Sequence, residues 1–147
     1  MLPYAWGMDR SYWEHFEHIA DVGIRGVGAT CTDAFVQGAL ALTAALVKPE
    51  TVKAHTAVPI TCQESDRDYL FFAWLNALLF EMDTRAMIFS RFDVTLTPGG
   101  LNAQAWGESI DPLRHQPAVQ VKAATLAELA VYERSDGLWV AQCVVDV

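Results

Sequence analysis

A chain of 147 residues, of which 52% are hydrophobic and 19% charged, has enough apolar material for one domain with a sizeable core. Eighteen acidic residues against ten basic ones give a formal net charge of −8. This balance argues against a DNA-binding or general nucleic-acid-binding protein, whose affinity depends on Lys and Arg contacts to phosphates, and is compatible with a metal site or a basic protein partner.

The cysteines and the apolar segments indicate a cytoplasmic protein. Cys31, Cys62 and Cys143 are far apart and form no Cys-x-x-Cys pair, so neither a disulfide framework nor a zinc knuckle is predicted. The opening sequence MLPYAWGMDRSYW lacks the positive start and apolar stretch of a signal peptide. Residues 69–82 are the most apolar helical stretch and are shorter than the roughly 20 residues that span a bilayer. We therefore expect no membrane partner.

Two strands and a helix are the first predicted elements. The strands lie in YWEHFEH and GIRGVGAT, and Thr30 is the expected N-cap of the helix, with Asp33 in the capping-box position. Apolar residues then recur at helical spacing until Pro49, which cannot continue a helix. The positions of this apolar stripe are Phe35, Ala39, Leu42 and Leu46.

A second helix is predicted in ESDRDYLFFAWLNALLFEMDT, after the extended segment TVKAHTAVPITCQ. Ser65 is its expected cap, with Asp68 as the capping-box partner. Its apolar stripe is so broad that the helix should be mostly buried. The stripe consists of Phe71, Trp74, Leu75, Leu78, Leu79 and Met82.

The rest of the chain reads as strands joined by short turns. TPGG is a turn, and Asp136-Gly137 closes a hairpin before the final strand, LWVAQCVVDV. Because strands cluster late in the order ββαβαβββββ, we predict a single α+β domain. Its sheet should be mainly antiparallel, with two helices covering one face.

The stretch WEHFEHIADVG gathers histidines and acids. In one continuous strand, His15, Glu17, Ile19 and Asp21 would share one side, and His18 would point to the other. An isolated Asp before a Gly turn most often serves as a turn or cap residue, which is the alternative for Asp21.

Two carboxylates close the sequence. Asp146 shares a face of the final strand with Gln142 and Val144, and Val147 carries the terminal carboxylate. Together they form an oxygen-rich corner that suits Ca²⁺ or Mg²⁺, which a third acid nearby would complete. The alternative is an acid at a fraying terminus.

Further candidate residues lie in two segments. VKAAT places Lys122 inside an apolar run, where it either faces water or serves a site. The polar segment WGESIDPLRHQP carries Glu108, Asp111, Arg114 and His115, and is either an ordinary charged loop or part of a site. The sequence contains no P-loop, nucleophile elbow or Gly-x-Gly-x-x-Gly motif.

Six stretches together resemble the archease family, in order and at family-like spacing. They are HFEHIADVGIRGVGAT, FAWLNALLFEMDT, SRFDV, GESIDPLRH, VKAAT and the terminal VVDV. The resemblance implies an archease-like domain over residues 12–147 after an N-terminal extension, residues 1–11. It also implies a cytosolic accessory protein, not itself an enzyme, of the RtcB-type RNA ligase. Such proteins promote guanylylation and multiple turnover of that ligase in tRNA splicing and RNA repair, so RNA would be only an indirect partner.

The resemblance also implies a site. Its metal ligands here are Asp21, Asp146 and Val147. Calcium is the expected ion, with magnesium and manganese as alternatives, and Lys122 is the lysine expected to act in ligase activation. We expect His18 and His115 to lie beside the metal ligands.

The chain departs from the family pattern at three places. Ile19 stands where the family usually has Thr, Leu126-Ala127 where many members have Tyr-His, and Ala77 where Glu is usual.

Two other functions fit the residues. One is a small metal-dependent phosphohydrolase in which Asp21, Asp146, His18 and Lys122 hold a metal and polarise a phosphoryl group. The other is a chaperone-like adaptor that uses its apolar surface.

Overall fold

Residues 10–147, which the computed structural model describes, contain eight strands and three α-helices. Residues 1–9 of the predicted N-terminal extension lie outside the described residues. The strands are β1 Tyr12–His18, β2 Asp21–Gly28, β3 Thr56–Gln63, β4 Met87–Thr97, β5 Gly100–Ser109, β6 Ala123–Ala124, β7 Ala130–Glu133 and β8 Trp139–Asp146. The helices are α1 Cys31–Leu46, α2 Arg67–Arg85 and the short α3 Pro112–His115.

The strands form two antiparallel sheets. In the first, β2 lies between β1 and β8. The other edge of β8 pairs with β7 along its first half and with β6 at its end. In the second, β5 lies between β3 and β4. The α+β class and the antiparallel pairing are confirmed, whereas the single predicted sheet is wrong. Helices α1 and α2 contact strands of both sheets, so they bury apolar surface on two sides instead of covering one face.

Helix α1 begins as predicted and ends earlier. The Thr30 hydroxyl accepts a hydrogen bond from the Asp33 N–H at 3.1 Å, which confirms the cap. The helix ends at Leu46 because Val47 and Lys48 are already extended. A residue that precedes proline avoids the helical conformation, so Pro49 keeps Lys48 extended. Pro49 then begins a 3₁₀ turn, Pro49–Thr51.

Helix α2 is capped by Asp66 and not by Ser65. The Asp66 carboxylate accepts from the Tyr69 N–H at 3.0 Å. The predicted stripe is buried, and Trp74 lies at its centre with no exposed surface. Its indole N–H donates to the Phe35 carbonyl at 3.1 Å, and its ring meets Phe92 edge-on with centroids 6.0 Å apart. Trp74 therefore joins α2 to α1 and to the second sheet.

The cysteines are reduced and no helix is membrane-spanning in the part of the chain that the structure describes. Cys31, Cys62 and Cys143 are all buried and unpaired, and burial raises the pKa of the Cys143 thiol to about 12. None of the helices in residues 10–147 is long and apolar enough to cross a bilayer.

Candidate functional site

A two-residue turn reverses the chain before Asp21. Strand β1 ends at His18, and β2 begins at Asp21 directly opposite it. Ala20 in the turn has a left-handed φ of 61°. Directly opposed residues of an antiparallel pair point to the same side, so His18 and Asp21 share a face. The prediction that one continuous strand would separate them is wrong.

His15 lies on the other face, toward α1. Its Nε2 atom is 2.9 Å from the carbonyl oxygen of Ala41 in that helix. The residue opposite His15 in β2, Ile24, is fully buried. The outer face, which carries Asp21, is therefore turned away from α1.

The register of the first sheet brings Asp21 to Asp146. Strands β2 and β8 pair as far as Val22 and Val145, and one further step of this register sets Asp21 opposite Asp146. The Cα atoms of such opposed residues are about 4.5–5.5 Å apart. Asp146 is in turn paired with Ala123 of β6. We call His18, Asp21, Asp146 and Ala123, which cross four strands on the outer face, the acidic row.

Val147 and Lys122 adjoin the acidic row. Val147 is half-buried and packs against the main core, next to Asp146. The backbone N–H of Lys122 donates to the carbonyl oxygen of Asp146 at 2.8 Å, and the lysine itself is exposed. The predicted metal ligands and the predicted functional lysine therefore lie at one end of the sheet.

An aromatic ring packs against the strands beside the acidic row. Phe16 lies across Gly23, and a Cβ atom at Gly23 would stand 2.3 Å from the ring. The guanidinium of Arg25 lies 4.6 Å from the centre of the same ring. Gly23 is thus required because the ring occupies the space of a side chain.

A polar ladder crosses the sheet next to this ring. Arg25 donates to Gln142 at 2.8 Å and forms an ion pair with Glu14. The Gln142 amide donates to the carbonyl of Glu128 at 3.1 Å, which ties the 125–129 segment to β8. Sequence reasoning missed this ladder. The signal that indicates it is a single Arg among glycines and aliphatic residues in GIRGVG.

His115 lies in a different set of contacts from the predicted one. It is 3% exposed, and its Nδ1 atom accepts from the Asp111 N–H at 2.8 Å. The other ring nitrogen must then carry the proton, and it donates to Glu108 at 3.1 Å. These contacts hold His115 beside the second sheet, and none of them joins it to Asp21 or Asp146.

Glu108 is the centre of this second network. Arg114 donates to its carboxylate at 2.6 Å and the Lys53 N–H donates at 2.7 Å. The Arg114 hydrogen bond, and after it the Lys53 N–H, lower the pKa of Glu108 to about 2. Because Arg114 also donates to the carbonyl of Thr51, the network links β5, α3 and the 3₁₀ turn by hydrogen bonds.

The acidic row fits a hard cation only with help from the main chain. Among residues 10–147, no three His, Cys, Asp or Glu side chains are placed to hold a metal ion by themselves. The row offers carboxylates from Asp21 and Asp146, so a main-chain oxygen of Val147 is needed as a further donor. Carboxylate and main-chain oxygens are the ligands that Ca²⁺ and Mg²⁺ prefer. The metal at this row therefore stays a prediction.

The fold and the site define a small two-sheet α+β domain with paired carboxylates at one sheet end. Residues 13–147 match the family described as "Archease protein family (MTH1598/TM1083)". The chain is 35% identical over 139 residues to protein archease of Pyrococcus furiosus, covering 92% of this chain and 98% of that protein. It is 30% identical over 137 residues to protein archease of Sulfolobus acidocaldarius, with the same two coverages. The solution structure of Methanobacterium thermoautotrophicum protein 1598 superposes with a TM-score of 0.80 at 30% identity, again covering 92% of this chain and 98% of that one. This chain belongs to the archease family, as the resemblance of its motifs predicts.

Proposed function

We propose that this protein is a cytoplasmic, non-enzymatic activator of an RtcB-type RNA ligase in tRNA splicing or RNA repair. It promotes guanylylation of the ligase and its multiple turnover. The observation that carries the proposal is the acidic row, in which the Asp residues of two separate family-like motifs face the same side of adjacent strands. Membership of the archease family supports the accessory role.

The proposed mechanism places a divalent cation at the acidic row. Asp21, Asp146 and a main-chain oxygen of Val147 would hold it, and calcium is the expected ion, with magnesium or manganese as alternatives. When bound, the cation supplies positive charge that offsets the charge of phosphates during guanylyl transfer. Lys122 contributes a compact point charge that contacts a phosphate or a carboxylate of the ligase. The ligand residues are half-buried at the end of the first sheet, and the exposed residues His18 and Lys122 lie beside them.

The test is multiple-turnover joining of a cleaved RNA by the ligase of the same organism, with and without this protein. We expect no joining by this protein alone and a several-fold rise in turnovers when it is added. Transfer of labelled GMP to the ligase, measured in parallel, should accelerate by a similar factor. Turnover and guanylylation that do not respond to the protein would contradict the proposal.

The same reactions discriminate the two other functions. A phosphohydrolase releases phosphate from nucleotides or a chromogenic phosphate ester when incubated alone with Ca²⁺, Mg²⁺ or Mn²⁺. A chaperone-like adaptor protects the ligase from thermal inactivation without changing its initial rate of guanylylation.

A further inference from the structure

Helix α2 supplies side-chain acceptors to the two short strands beside β8. The side-chain oxygen of Asn76 accepts from the Ala124 N–H of β6 at 2.9 Å. The carboxylate of Asp68 accepts from the Val131 N–H of β7 at 2.7 Å. Asn76 and Asp68 are eight residues apart, so they lie about 12 Å apart along one broad side of the helix. Helix α2 therefore holds β6 and β7 through two contacts of the same kind.

The main-chain N–H of Ala124 depends on the Asn76 oxygen. Ala124 is 5% exposed and packs in the main core, where an N–H group without an acceptor is strongly disfavoured. Strand β6 is only two residues long, so its pairing with β8 gives it little further support. Loss of the Asn76 oxygen would therefore displace β6 until this N–H reaches water or another acceptor.

A displacement of β6 would also move Lys122, which lies two residues before Ala124. The Lys122 N–H donates to the carbonyl oxygen of Asp146 at 2.8 Å. The Thr125 N–H donates to the carbonyl oxygen of Val144 at 2.9 Å. These two bonds join the segment to β8, and the Asn76 bond joins it to α2. Asn76 thus links the main chain of Lys122 and of Asp146 to the helix.

We propose that Asn76 is a positioning residue that sets the place of Lys122 relative to Asp146, an inference that rests on the function proposed above. Its side-chain oxygen holds β6 in register with β8 and so directs the ammonium group of Lys122 toward the phosphate or carboxylate that it contacts. Asp68 makes the same kind of bond to β7, which carries none of the predicted site residues. A purely structural role would make the two residues equivalent, whereas a positioning role separates them.

The first measurement is amide hydrogen exchange in Asn76→Ala and in the matched control Asp68→Ala. Both residues are half-buried and each substitution removes one acceptor on α2, so the two melting temperatures should fall by similar amounts. In Asn76→Ala, the amides of Ala124 and Lys122 should exchange at least tenfold faster than in wild type, while that of Val131 keeps its protection. In Asp68→Ala, the pattern should be reversed.

The second measurement is the stimulation of guanylylation over a range of protein concentrations. Asn76→Ala should lower the maximal stimulation at least fivefold and leave the half-maximal concentration within twofold of wild type, because the partner surface remains and Lys122 is misplaced. Asp68→Ala should keep at least half of the wild-type maximum. Asn76→Asp retains an oxygen acceptor on a side chain of the same shape, so it should restore the maximum to within twofold of wild type.

The outcomes separate this inference from the proposed function. Equal losses of stimulation in Asn76→Ala and Asp68→Ala would show a structural role and overturn the inference. Wild-type stimulation by Asn76→Ala, or no rescue by Asn76→Asp, would also overturn it and leave the proposed function standing. A wild-type protein that does not stimulate the ligase would overturn both. If Asn76→Ala does not fold, Asn76→Ser, whose hydroxyl is one bond shorter, takes its place with the same expected values.

Discussion

Asp21 and Asp146 are placed at the acidic row by a turn and by a strand register. Neither contributes to the apolar core, and both lie at the end of a paired strand. A role in holding a cation and a role in folding therefore lead to different results on substitution.

We predict that Asp21→Ala and Asp146→Ala reduce ligase stimulation by at least tenfold while the melting temperature changes by only a few degrees. Surface substitutions away from caps and buried networks usually alter stability by less than about 0.5 kcal/mol. The checks are the turnover assay, circular dichroism on heating and calorimetric titration with Ca²⁺ and Mn²⁺. Variants that unfold would show a purely structural role, and variants that stimulate normally would remove both residues from the site.

The face of the sheet on which His18 lies could not be predicted from the sequence. The pattern of WEHFEHIADVG agrees with one long strand, and the turn depends on a left-handed Ala20. Alanine has no preference for a positive φ, so no residue signals the reversal. The identity of the acids could be read from the motifs, whereas the side on which His18 lies depends on tertiary structure.

Glu108 gives a prediction about pH. Because its folded-state pKa is about 2, below the ordinary 4.5, its ionised form stabilises the native state. This contribution is complete above about pH 5 and is lost as the pH falls from 4.5 toward 2. Glu108→Gln should therefore destabilise the protein at pH 7 by about 2 kcal/mol, through loss of charge-assisted hydrogen bonds, and by progressively less in acid.

Urea unfolding at several pH values measures this difference. The exposed Glu133 on β7 provides the matched control, because Glu133→Gln should change stability by less than about 0.5 kcal/mol. A constant difference between wild type and Glu108→Gln from pH 7 to pH 3 would contradict the assigned pKa.

At the scale of elements, the two long helices follow from their apolar stripes, while their ends depend on local competition. Ser65 and Asp66 are both good N-cap residues, so propensity does not choose between them. The structure places Asp66 at the cap because its carboxylate reaches the Tyr69 N–H. The two-residue strand β6 and the four-residue helix α3 are too short to show any period.

The cap assignment predicts a difference between neighbouring substitutions. Asp66→Ala should cost about 1 kcal/mol of stability, because the first turn of α2 loses a hydrogen-bond acceptor and a favourable charge. Ser65→Ala should cost less than about 0.5 kcal/mol. Chemical denaturation of the two variants beside wild type measures both values. Equal costs would show that the two residues share the cap.

For the whole molecule, the α+β class follows from the order of elements, but the division into two sheets does not. Hairpins such as β4–β5 are local, whereas the pairings of β3 with β5 and of β2 with β8 join distant segments. Which distant strands pair depends on how the helices fill the space between the sheets. Trp74 shows this, because it contacts Phe35 of α1 and Phe92 of the second sheet at once.

Trp74→Ala should therefore destabilise the entire fold by about 3–5 kcal/mol, through lost burial and the cavity that remains. Trp106 is a matched control, since it is only partly buried and its indole N–H donates to Asp93 on the surface. Trp106→Ala should cost about 1 kcal/mol. Denaturant titration followed by fluorescence and far-UV circular dichroism should give coincident transitions. A loss of less than 1 kcal/mol for Trp74→Ala would show that the two sheets are held together elsewhere.

The register of β8 also limits how the gene can change in length. The Asp146 side chain lies on the outer face of the sheet because an unbroken strand connects it to residue 139, and side chains alternate between the two faces at every step. A one-codon insertion or deletion within this strand would turn the carboxylate inward against the helices. The same change in the exposed bend at residues 134–137, ahead of the strand, would leave the alternation intact. We therefore expect functional sequences of this family to vary in length at that bend and to keep a constant spacing from there to the penultimate acid.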